Sequence, residues 1–159
     1  MNINKDTKEK ICAFYASDYH FEMISLPYIE KKLETNRKVI VLTENNLEKT
    51  IDVLISKINL EEKKKKEILN LNWENNDFIK FKTIKEESKR GKEIIIFVKG
   101  KKNYIKNINE NIINLIEEKK NLTIIDCYDM EEINEGINEV TENYNKVLTV
   151  SGIKEIQKI

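Results

Sequence analysis

Ile94-Ile95-Ile96-Phe97-Val98 is the stretch on which the fold turns. Five consecutive apolar residues, four of them β-branched, suit a pleated backbone and leave no polar face for water. A strand without a polar face must be covered on both sides, which is the condition of a parallel sheet lying between layers of helices. Lys99-Gly100-Lys101-Lys102-Asn103 closes the run. The same kind of block recurs on either side, as Ile11-Cys12-Ala13-Phe14-Tyr15-Ala16, Val39-Ile40-Val41-Leu42, Leu122-Thr123-Ile124-Ile125-Asp126 and Val147-Leu148-Thr149-Val150.

The segments between these blocks carry helical spacing. Phe21, Ile24, Tyr28 and Leu33 fall near one face, with Pro27 marking a kink or a late start. Leu47, Ile51, Leu54, Ile55 and Ile58 follow, with Asn45 or Asn46 as cap, and Lys63 to Lys66 form a solvated charge run in a second helix. Ile68 to Trp73 alternates apolar and polar residues as a short edge strand would. A helix over 77–90 directs Phe78, Phe81 and Ile84 inward and stops at Gly91. Tyr104, Ile105, Ile108, Ile112, Ile113, Leu115 and Ile116 mark a long amphipathic helix. One more helix lies between Glu131 and Tyr144. Strands alternating with helices predict βαβ units: an α/β, three-layer sandwich whose mostly parallel central sheet has about five strands, in one domain over 1–159.

Composition narrows the function classes. Lysine plus arginine number 28 and aspartate plus glutamate 28, so no net field draws the chain to nucleic acid or to an anionic membrane. No apolar run approaches the ~20 residues of a membrane span. The polar start, Met1 to Asp6, is unlike a signal peptide, and Cys12 and Cys127 make neither a disulfide framework nor a metal spacing. A reduced, cytoplasmic protein without metal or cofactor is the expectation.

Ligands of open α/β sheets bind beyond the carboxyl ends of the strands. That rule gathers Ser17, Asp18, Tyr19 and His20, then Thr43, Glu44 and Asn45, then Lys99 to Lys101, then Asp126 to Asp129, and finally Ser151 and Gly152. Neither a GxxxxGK[ST] loop nor a GxGxxG loop is present, and Ser17-Asp18-Tyr19-His20 offers no glycine to a phosphate. Ile124-Ile125-Asp126 looks like a magnesium-holding strand end but lacks its partner loop. His20 is the sole histidine, which excludes multi-histidine metal sites and leaves only a Cys127–His20 pair for nucleophilic chemistry.

Lys10 to Tyr15, the helical Leu26-Pro27-Tyr28-Ile29, Arg37 to Val41, Ile125 to Asp129 and Val150-Ser151-Gly152 resemble, in order and spacing, the sensory domains called MEDS, typified by the dichloromethane regulator. Glu34-Thr35-Asn36 stands where that family has a glycine-containing link. The resemblance implies a RecA-like fold without a phosphate loop, used to sense small molecules. The expected function is a stand-alone, non-catalytic sensory or regulatory domain that signals through a protein partner. Tyr15 and Tyr128 would supply aromatic walls, Asp18, His20, Glu44 and Lys99 polar contacts, and Cys127 redox or metal sensitivity. A ligand-free interaction module, docking a partner or a second copy, and an enzyme acting on a nucleotide-like compound are the alternatives.

Overall fold

A computed structural model of the chain describes residues 9–33, 36–116, 119–133 and 136–156. The Met1–Asp6 start and the Glu34-Thr35 part of the link lie outside them. The elements run β1 (Glu9–Tyr15), α1 (Asp18–Lys32), β2 (Arg37–Thr43), α2 (Glu48–Lys57), α3 (Glu62–Leu69), α4 (Asp77–Lys89) and β3 (Glu93–Gly100). They continue with α5 (Lys102–Leu115), β4 (Leu122–Asp129), α6 (Met130–Ile133), α7 (Ile137–Thr141), β5 (Lys146–Thr149) and β6 (Gly152–Glu155). The sheet order is β2-β3-β4-β1-β5-β6. The first five strands pair in parallel, and β6 turns back antiparallel on β5. The expected α/β sandwich is the observed fold, with one strand more than expected.

Period-2 alternation divides each strand between two cores. Ile11, Ala13 and Tyr15 of β1, Ile95 and Phe97 of β3, and Ile125 and Cys127 of β4 point to the side covered by α1, α2 and α3. Cys12, Ile94, Ile96, Val98, Ile124 and Tyr128 point to the other side, under α4, α5 and α7. Phe97 is fully buried and packs edge-on against Phe21 and Tyr28 of α1. Both faces of the decisive Ile94–Val98 block are thus covered, as its composition requires.

Four details differ from the sequence expectation. Helix α1 does not start late: it begins at Asp18, where Ser17 caps it by accepting a bond from the His20 amide at 3.1 Å, and it runs through Pro27. The alternation over Ile68–Trp73 is not a strand. Ile68 and Leu69 are the last residues of α3, and the Trp73 indole donates to the Ile68 carbonyl at 2.8 Å, turning the chain inward as Trp73 fills the core. On α4, Ile84 is buried and Phe81 packs half-buried against the core as expected, but Phe78 is 84 % exposed and Lys80 takes a buried position instead. Lys80 donates to the Val41 carbonyl of edge strand β2 at 2.6 Å and to the Glu74 carbonyl, so a lysine blunts that edge. Burial lowers its pKa to about 8. The single helix expected over 131–144 is instead two short ones, α6 and α7.

Candidate functional site

The chain leaves β1 over the α1 side of the sheet and leaves β4 over the α7 side, although these strands are neighbours. Their carboxyl ends therefore flank the crevice where the sheet changes winding direction, with Tyr15 in register with Asp129. Lys99 reaches this rim from β3 and is only 2 % exposed. Its ammonium lies 2.9 Å from Asp18 Oδ1 and donates to Asn45 Oδ1 at 2.8 Å, while Asn45 Nδ2 donates to Asp18 Oδ2 at 3.0 Å. The Tyr15 ring lies 4.5 Å from the same ammonium. Burial, then Asp129 and other nearby anionic groups, hold the Tyr15 hydroxyl above the ordinary tyrosine range. Asp18, Asn45, Lys99 and Tyr15 thus form a closed set that ties together the ends of three strands.

Glu44 serves a helix. Its Oε1 accepts from the Lys101 amide at 2.9 Å, and Glu132 accepts from the Lys102 amide at 2.7 Å. Two carboxylates from other elements therefore cap the positive end of α5. A Cβ on Gly100 would come within 2.7 Å of both Glu44 Oε1 and Tyr104 Cδ2, so this approach requires glycine. His20 folds back to accept the Ala16 amide on Nδ1 at 2.8 Å.

Three rim assignments need correction. Cys127 lies inside β4, 1 % exposed, because this central strand stays paired on both sides through Tyr128. Burial, then Asp126, pushes its thiol well above the usual range, so thiolate chemistry is disfavoured there. Tyr128 cannot face Tyr15 across a pocket, since alternation sends the two rings to opposite sides of the sheet. Asp126 is likewise mid-strand and fully buried, rather than at the strand end.

Asp126 leads to a site that the rim rule overlooks. It forms the floor of a groove of about 490 Å³ between α5 and α7, above β4 and β1. Tyr144 donates its hydroxyl proton to Asp126 Oδ2 at 2.5 Å, and Asn109 Nδ2 donates to Oδ1 at 3.0 Å and to the Ile105 carbonyl at 2.9 Å. Tyr128 and Tyr144 hydroxyls lie 2.7 Å apart. With the Tyr144 proton committed to Asp126, Tyr128 is the donor of that pair. Burial, then the Asp126 charge, holds both phenols well above the ordinary range. Lys10 sits 3.5 Å from Asp126 Oδ2 and 5.7 Å from the centre of the Tyr144 ring. Asn109 Oδ1 is buried and has no partner. Ile105, Ile113 and Val140 supply apolar wall.

One signal for this site was present in the sequence. Asn109 falls four residues after Ile105 on the apolar stripe of its helix, where an amide has to meet another polar group. Among the described residues no group of three or more His, Cys, Asp or Glu side chains could hold a metal ion, and no helix is long and apolar enough to cross a membrane.

The fold and these sites define the chain as an α/β protein with a mostly parallel six-stranded sheet between helical layers. Neither a family model nor a curated protein matches it.

Proposed function

We propose that this chain is a non-catalytic, small-molecule-sensing domain of the MEDS kind, which holds its ligand in the α5–α7 groove and passes its occupancy to a protein partner. The unpartnered Asn109 Oδ1 carries this reading. A buried carbonyl oxygen without a donor costs about 1–3 kcal/mol, a cost that a bound molecule with a donor would remove. Groove volumes of a few hundred Å³ with apolar walls and a few convergent polar groups are typical of small-molecule sites.

The rim favours a structural role over turnover. Lys99, Asp18 and Asn45 are bonded to one another. The start of α1, where a phosphate loop would lie, carries the Ser17 cap and the Asp18 carboxylate, and a negative charge there opposes a phosphate. We therefore place the ligand in the groove, where Asp126 and Tyr128 are shared with the rim expected from sequence.

Native mass spectrometry of freshly purified protein tests the reading. A small-molecule adduct is expected on the wild-type chain and absent from Ile113→Trp, which fills the groove from a half-buried position on α5. A wild-type chain that carries no adduct and gains no thermal stability from a metabolite library would overturn it.

A further inference from the structure

The hydrogen-bonding ledger of the groove floor specifies the chemistry of its occupant. Tyr144 has spent its single proton on Asp126, and Tyr128 has spent its own on Tyr144. Both Asn109 amide hydrogens are committed, to Asp126 and to the Ile105 carbonyl. What remains on the floor is acceptor capacity, Asn109 Oδ1 and the lone pairs of the Tyr128 oxygen, while Lys102 and Lys106 are balanced by Glu110 and Glu139 among the other lining side chains. The charge beside it is the Asp126 carboxylate, and the rings of Tyr128 and Tyr144 present electron-rich faces. The chain already seats one ammonium here, since Lys10 approaches both Asp126 and the Tyr144 ring.

We propose that the groove binds a primary organic ammonium, with its head donating to Asn109 Oδ1 and Tyr128 and its apolar body lying along Ile105, Ile113 and Val140. The inference rests on the groove being the ligand site, and it adds the class of ligand. A carboxylate or phosphate head would set lone pairs against lone pairs and a negative charge beside Asp126. A neutral alcohol could satisfy one acceptor but would forgo the attraction of the carboxylate and the aromatic faces. Lys10, on the flank of the site, competes with the incoming ammonium for Asp126.

Isothermal titration calorimetry of the full chain with n-hexylamine, n-hexanol and hexanoate tests the assignment. Hexylamine is expected to bind at least tenfold more tightly than hexanol, with no heat from hexanoate. Lys10→Met removes the competing cation and is expected to tighten hexylamine severalfold while leaving hexanol unchanged. Ile113→Trp is expected to abolish binding of both. Hexanol or hexanoate binding as tightly as the amine would overturn the inference, as would amine binding that survives Ile113→Trp or the absence of any amine heat. The mass-spectrometric adduct separates the two readings. A retained ligand without a basic nitrogen, lost in Ile113→Trp, refutes the ammonium and leaves the groove standing, whereas a wild-type chain with no adduct and no stabilisation refutes the groove itself.

Discussion

Glu22 sits on the inner face of α1, 1 % exposed, with Oε2 lacking a partner. Burial is the main cause raising its carboxyl above the usual 4.5. The folded chain therefore keeps a proton there at pH values where the unfolded chain has lost it. The stability linked to that proton is complete below about 4.5 and is lost as the pH climbs through the raised folded value. Glu22→Gln keeps the shape and removes the charge. It should raise the melting temperature at neutral pH and flatten the decline seen in thermal scans as the pH rises above about 4.5; an unchanged slope would refute this origin. Tyr144 makes the opposite case, of a polar group whose value lies in being paired. Tyr144→Phe leaves Asp126 Oδ2 without its closest donor and Tyr128 without an acceptor. A loss of about 1–3 kcal/mol is expected in urea titrations.

Most elements were legible from their local pattern, and the exceptions have local causes. The Ile94–Val98 block had to be a doubly covered strand. Ile68–Trp73 alternated like a strand, but the bond from the Trp73 indole to the Ile68 carbonyl made it a turn. The exposure of Phe78 follows from the orientation of α4, which gives the inner position to Lys80 so that its ammonium can meet the Val41 carbonyl. Helix α5 depends on carboxylates from elsewhere, Glu44 and Glu132, for its first amides. Gly100→Ala would drive a methyl into Glu44 and Tyr104, and overpacking of this kind costs about 1–3 kcal/mol. The midpoint of urea unfolding should fall accordingly, and the α5 amides next to Lys101 should exchange faster with deuterium.

The two cores share one sheet, so each central strand feels both helical layers. Cys12 and Cys127 report on opposite sides of it, on neighbouring strands, and both are buried. If the layers open together, iodoacetamide should label the two thiols at the same rate, set by global unfolding. Clearly different rates would show that one layer opens on its own. Strand length, hydrophobic spacing and the order of strands and helices are written locally, and they sufficed for the α/β class and for the strand ends that bring Lys99 and Asp18 near each other. Which acceptors remain unpaired could not be read that way. Asn109, Asp126 and Tyr144 meet only because α5, β4 and the segment after α7 converge on one side of the sheet. Hydrogen-bond saturation is a property of that convergence, since a group's partners are chosen by distances that no single segment contains.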